Sequence, residues 1–199
     1  HPDNPQRRLL RIAAEKLRDG GVIVYPTDTS YALACHLGDK QAVERIRRLR
    51  QLSDKHQFTL VCRNLSEVAD YAKLGNTGYR LLKRLTPGPF TFVLNATREV
   101  PRRLMHPKRK TIGLRIPNNC IVDMLLEELA EPIMSTTLIL AGDQQPLNNP
   151  DNIMQRLEKQ VEIVIDGGVA GLDVTTLVDL TDENLSILRQ GIGDISDLT

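Results

Sequence analysis

Aromatic residues are scarce in this chain: 4% of 199 residues, with no tryptophan. A ladder of exposed rings for stacking single-stranded bases is therefore excluded. Cysteine is equally sparse. Cys35, Cys62 and Cys120 lie far apart, form no CxxC pair and are odd in number. That excludes a disulfide framework and fits a reducing cytosol. His36, His56 and His106 show neither HExxH nor any other metal-ligand spacing, so no protein-ligated metal is expected. No apolar run approaches the ~20 residues that a membrane span requires, and the opening His1-Pro2-Asp3-Asn4-Pro5 is no secretory signal. A start at His1 leads us to expect that a short leader precedes it. The expected setting is cytoplasmic, without a membrane partner. Walker, GxGxxG, GxSxG and kinase signatures are all missing, so any nucleotide must be held by arginines and hydroxyls rather than by a glycine cradle.

What is present is most informative between Gly20 and Leu37, where the chain reads GGVIVYPTDTSYALACHL. Two glycines open the apolar run Val22 to Tyr25, which ends at a proline followed by Thr27, Asp28, Thr29, Ser30 and Tyr31. This is a buried strand delivering a polar turn to one end of a sheet, the place where open α/β sheets put their ligand crevices. On local chemistry alone the turn reads equally well as a binding floor or as a hydroxyl-capped turn that binds nothing.

Charge is balanced overall, 26 basic against 25 acidic residues, but it is segregated. Arg98, Arg102, Arg103, Lys108, Arg109, Lys110 and Arg115 face Glu99 alone within 98–115. A second basic block holds Arg45, Arg47, Arg48, Arg50 and Lys55 against Asp54. The stretch 162–199 is acidic, with Arg189 its single cation. Two basic blocks far apart in sequence either line one anion-binding cavity or face, or form solvated loops.

A single domain over 1–199 is expected from the length. A helix carrying Leu9, Ile12, Ala13 and Leu17 on one face precedes the strand at 22–26. Asp39 caps a basic helix with Val43, Ile46 and Leu49 as its stripe, and Phe58 to Cys62 is a second strand. Asn64 or Ser66 caps a short helix, and another ends at Pro87-Gly88-Pro89. Strands follow at Phe90 to Leu94 and Thr111 to Ile116, then a helix capped by Asn118 or Asn119 and a strand from Ile133. A helix from Pro150, a strand at Val161 to Ile165 and two short closing strands complete an α/β domain with a mixed sheet.

Taken in order, GGVIVYPTDTSYAL, RLR at 48–50, PGPFTFVL at 87–94, TIGLRIP at 111–117, STT at 135–137, TTLVD at 175–179 and LRQG at 188–191 resemble the YrdC/YciO family, nearest its YciO branch. The resemblance implies a single twisted mixed sheet flanked by helices around a deep basic cavity. It implies threonylcarbamoyl-AMP synthase-type chemistry on L-threonine, bicarbonate and ATP with Mg²⁺, linked to tRNA threonylcarbamoyladenosine. Alternatives within the resemblance are a non-catalytic tRNA or double-stranded RNA binder, and an enzyme that removes threonylcarbamoyl groups. Residue by residue it assigns Thr27, Tyr31, Arg115, Ser135 and Thr175 to the amino-acid substrate. Arg48, Arg50, Thr111, Thr137 and Arg189 are assigned to the nucleotide, while the charge of the 98–115 arm makes Arg102, Arg103, Lys108, Arg109 and Lys110 the candidate RNA contacts. No side chain is required as a nucleophile. The chain departs from the synthase motifs at Arg48 for Lys, Cys62 for His, Thr137 for Asn, Val174 for Glu and Thr86 for Trp.

Overall fold

The computed structural model describes residues 1–182, 184–196 and 198; Glu183 and Asp197 of the acidic block lie outside them. Helix α1 (Arg7–Arg18) runs into a glycine-closed turn. Gly20 adopts φ +83° and donates to Leu17 O, while Gly21 donates to Lys16 O, a pair of bonds that satisfies the last helical carbonyls. Its buried stripe is Leu10, Ala13, Ala14 and Leu17, while Leu9 and Ile12 stay exposed at 52% and 39%. This corrects the sequence reading. The 10-13-14-17 stripe is apolar throughout, whereas the 9-12 stripe is interrupted one turn later by Lys16.

The strands are β1 (Val22–Pro26), β2 (Tyr31–His36), β3 (Thr59–Val61), β4 (Phe90–Asn95), β5 (Thr111–Arg115), β6 (Ile133–Thr137), β7 (Ile163–Val164), β8 (Thr176–Asp179) and β9 (Ser186–Arg189). Among the described residues they form one sheet in the order β7-β1-β2-β6-β3-β5-β4-β8-β9, with β7, β5 and β8 parallel to β1, β3 and β4 respectively. The sheet is mixed, as the alternation of elements implied. Strand β2 was not foreseen: the polar turn is the bend of a hairpin in which Tyr31 to Cys35 return antiparallel to β1. Buried along both faces and rich in alanine, β2 shows neither polar alternation nor β-branched side chains.

Helices α2 (Lys40–Arg50), α3 (Leu65–Tyr71), α4 (Asn76–Leu85) and α6 (Pro150–Leu157) pack their apolar faces into a core with one side of the sheet. Asp39, Asn64 and Asn149 accept backbone N–H bonds at the starts of α2, α3 and α6. Helix α5 (Cys120–Leu129), capped by Asn119, lies beside α1 on the other side. Together α1 and α5 cover Ile23, Tyr25, Ala32, Ala34, Val61 and Ile133. They do not reach across the rest of that face, and this half-covering positions the site.

Candidate ligand cavity

Register shows what the uncovered part of the face carries. Ala34 is opposite Ser135, Ser135 opposite Thr59, and Thr59 opposite Gly113; Ala32 is opposite Thr137, Val61 opposite Arg115 and Leu177 opposite Arg189. Residues directly opposite one another share a face, so hydroxyls and arginines fill a row where a covered sheet would carry aliphatics. Gly113 belongs to the same row, and a Cβ there would stand 2.6 Å from Thr59 Oγ1. The row lines a cavity of about 210 Å³ with Arg50, His56, Gln57, Thr91, Thr136, Ile139, Val174 and Thr175 at its sides.

Arg115, the last residue of β5, is 8% exposed. Its Nη2 donates to Thr27 Oγ1 at 3.1 Å and Thr29 Oγ1 at 3.0 Å and is ion-paired with Asp28. The other Asp28 oxygen accepts Asn118 N–H at 2.9 Å. Arg115 Nε is buried without a partner, a donor whose desolvation favours an acceptor from a ligand. The polar turn of the hairpin thus serves as a clamp that aims Arg115. Thr27 Oγ1 donates to Ser30 O at 2.7 Å and accepts from Ser30 N, Thr29 N and Arg115, so its hydrogen-bonding capacity is taken up within the turn.

Arg50 ends α2, where Gln51 turns the chain through a left-handed conformation at φ 51°. Its guanidinium donates to Ile139 O at 3.0 Å and to Thr136 Oγ1. Burial lowers its pKa to about 10. Arg189 sits at the opposite rim, donating to Thr175 O at 2.9 and 3.2 Å; burial and the charge of Arg115 lower its pKa. Thr175 Oγ1 is 2.8 Å from Thr91 Oγ1. On the floor, the Tyr25 phenol lies 2.5 Å from Ser135 Oγ. Tyr25 is fully buried, and that burial raises its pKa to about 12. The phenol is neutral, and either hydroxyl of the pair can donate to the other.

Of the residues singled out in the sequence, the structure brings Arg50, Arg115, Ser135, Thr137, Thr175 and Arg189 together on the cavity wall. Thr27 stands behind Arg115. Thr111 stands behind Gln57, donating to its Oε1 at 2.9 Å. Tyr31 is on the opposite face: its ring joins the helical core, and its hydroxyl donates to Gly168 O at 2.7 Å. Adjacent strand positions point to opposite faces, which separates Tyr31 from Ala32. Arg48 also lies elsewhere, lining a shallow surface recess with Arg45 and Lys159; two residues along a helix is about 200° of rotation, so Arg48 and Arg50 cannot share a side.

The basic arm is not part of the cavity. Arg109 is ion-paired with Asp179, Arg103 donates to Gly38 O, and Lys110 donates to Pro107 O at 2.7 Å. Arg102 and Lys108 are exposed. Sequence reasoning missed His56, Gln57, Thr59, Thr91 and Thr136 as wall residues. The available signal was the polar side chains set among short β-rich runs. Among the described residues, no group of three or more His, Cys, Asp or Glu side chains could hold a metal.

A mixed sheet whose open face gathers three arginines and a file of hydroxyls defines an α/β protein with an arginine-lined cavity. Comparison with known proteins narrows that class. The family model described as Telomere recombination, for Sua5, YciO and YrdC, matches residues 15–191, and the chain belongs to this family. It is 54% identical over 195 residues to YciO of Escherichia coli strain K12, covering 98% of this chain and 95% of that one. The crystal structure of E. coli YciO superposes with a TM-score of 0.96 at 53% identity over 100% of this chain and 97% of that one. Human threonylcarbamoyl-AMP synthase is 32% identical over 162 residues, 81% of this chain but 57% of its own length. The crystal structure of P. abyssi Sua5 complexed with L-threonine matches with a TM-score of 0.87 at 27% identity, over 94% of this chain and 55% of that one.

Proposed function

We propose that the chain binds L-threonine, bicarbonate and Mg²⁺-ATP in this cavity and joins them into threonylcarbamoyl-adenylate and pyrophosphate. The observation that carries the reading is the meeting of Arg50, Arg115 and Arg189 on one hydroxyl-lined wall that carries no carboxylate. Relatives named threonylcarbamoyl-AMP synthase, and one relative solved with L-threonine, support it. The reactants bring a carboxylate, a bicarbonate and a triphosphate, and planar guanidinium forks suit each. Arg115 Nε faces the amino-acid carboxylate, Arg50 and Arg189 hold phosphate oxygens, and Ser135 donates a proton in hydrogen bonding to the carbamate. A cavity of about 210 Å³ is below the usual 300–1,000 Å³ of drug-sized ligands, so the nucleoside lies toward the mouth.

The threonine amine attacks bicarbonate to give a carbamate with loss of water. A carbamate oxygen then attacks the α-phosphorus of ATP and pyrophosphate leaves. The chain orients the reactants and neutralises the growing phosphate charge, and no protein nucleophile is needed. The proposed setting is the cytoplasm. All five candidate arm cations are exposed, and contact with tRNA or double-stranded RNA is assigned to Arg102 and Lys108, which are not drawn into the contacts described for Arg103, Arg109 and Lys110; one or two phosphate contacts give a log–log salt slope of about −1 to −2.

The test is pyrophosphate release and adenylate formation with ATP, bicarbonate and a panel of amino acids. Threonine-dependent turnover supports the proposal, and a folded sample with no amino-acid-dependent turnover overturns it. Release of threonine from threonylcarbamoylated tRNA, without adenylate synthesis, assigns the same cavity to the reverse chemistry.

A further inference from the structure

His56 lies at the Arg50 end of the cavity, in the segment that connects α2 to β3 after the left-handed turn at Gln51. Its Nε2 is 3.2 Å from Thr136 Oγ1, the hydroxyl that also receives the Arg50 guanidinium. Its ring stands edge-on to Phe58 at 5.2 Å, and the Arg47 guanidinium lies over the Phe58 ring at 4.7 Å. The charged groups that face it are Arg50 and Arg47, both from α2. Thr136 of β6 adds a neutral hydroxyl, Arg115 of β5 and Arg189 of β9 line the far walls, and Asp54 and Lys55 of its own loop point outward. Asp28 is held on Arg115 and Asn118, away from this end.

Burial and the two neighbouring cations push the His56 imidazole down to about 4, so near neutrality it is uncharged. Thr136 Oγ1 accepts from Arg50 and shares a hydrogen bond with Nε2 in which either atom donates according to the tautomer; a neutral ring carries only one N–H. A polyphosphate seated against Arg50 reverses both conditions: it cancels the repulsion of the cations and offers an acceptor to a second imidazole N–H.

We propose that His56 is a ligand-contacting residue of this cavity, which takes up one proton as a multiply charged phosphate anion binds and holds that anion as an imidazolium. This rests on the anion-binding part of the proposed function and not on turnover. A ligand bearing one carboxylate and no phosphate does not load the proton.

The experiment is calorimetry at about pH 6 in two buffers of different ionisation enthalpy, which counts protons taken up on binding. Pyrophosphate, Mg²⁺-ATP and L-threonine are titrated separately into the wild type and His56→Gln. The expected result is that the wild type takes up close to one proton more than the variant with either phosphate ligand, and no more with L-threonine. Between about pH 5 and pH 6, wild-type affinity for pyrophosphate falls up to about tenfold relative to the variant. The ligand's own titration cancels in that comparison. In case the variant does not fold, the His56 ring is followed by NMR in the wild type: its midpoint rises from about 4 to about 7 on adding pyrophosphate, as uptake of close to one proton at about pH 6 requires. Equal proton counts in the two proteins, or an unmoved ring midpoint with pyrophosphate bound, overturn the His56 role and leave the proposed function standing. Failure of the wild type to bind either phosphate ligand overturns both.

Discussion

Asp28→Asn separates stability from binding in opposite directions. Asp28 and Arg115 form an ion pair whose side chains are 11% and 10% exposed, and Arg115 keeps only the hydroxyls of Thr27 and Thr29 when the charge is removed. Deleting one member of a buried pair typically costs about 3–5 kcal/mol. The asparagine retains an acceptor for Asn118 N–H or Arg115, which reduces the expected cost to about 2 kcal/mol. For a chain of this length that is a fall in Tm of about 4–8 °C. Binding moves the other way. An anion on the free edge of Arg115 sits roughly 6 Å from the Asp28 carboxylate, where like charges repel by about 3 kcal/mol at an effective dielectric near 20. Solvent in the open cavity screens about half of this, so the variant binds pyrophosphate or L-threonine about tenfold more tightly. Thermal unfolding by circular dichroism and calorimetric titration measure the two effects on the same sample. A folded variant with unchanged or weaker anion affinity refutes the argument that Asp28 competes with the ligand for Arg115.

Arg189→Ala removes an exposed rim guanidinium and lowers affinity for Mg²⁺-ATP by about 1.5–3 kcal/mol, the contribution of a hydrogen bond to a charged group, measured by the same titration; wild-type affinity removes Arg189 from the site. Arg48→Ala leaves Mg²⁺-ATP affinity within about twofold, because the side chain faces a surface recess rather than the cavity; a larger loss contradicts that placement. His56 sets an acid limit on the empty protein. Its folded-state pKa of about 4 lies below the usual 6.5, so its stability contribution is complete above about pH 6.5 and is lost as pH falls toward 4, by about 3 kcal/mol. Melts of the wild type and His56→Gln between pH 7 and pH 4 test this: the wild type loses more Tm, and parallel curves exclude it.

The sequence made the outer elements legible because their signals are local. Asp39, Asn64, Asn119 and Asn149 sit at the starts of helices they cap, and the glycine pair after α1 closes that helix where its stripe ends. Strand β2 was hidden for a physical reason: a strand covered on both faces has no alternation to read. The α1 stripe was misjudged by one residue because two apolar rows overlap at Ala13, and only contact with α5 selects between them.

The site divides in the same way. Arg50, Arg115 and Arg189 stand at element ends beside turns, and the motifs around them are short enough to be recognised in the linear chain. The walls between them depend on register, which brings Thr59, Ser135 and Gly113 into one row from three strands that are distant in sequence. Tyr31 and Arg48 show the cost of reading proximity in sequence as proximity in space: each is next to or two residues from a cavity residue, and the periods of strand and helix turn each away. His56 was visible only as a histidine without metal-ligand spacing. Its significance comes from the absence of any carboxylate around it, which only the assembled cavity reveals. Arg50 and Arg189 line the cavity beside a neutral imidazole and, unlike Arg115 with Asp28, meet no carboxylate in its wall; in the proposed function an anionic ligand completes their charge.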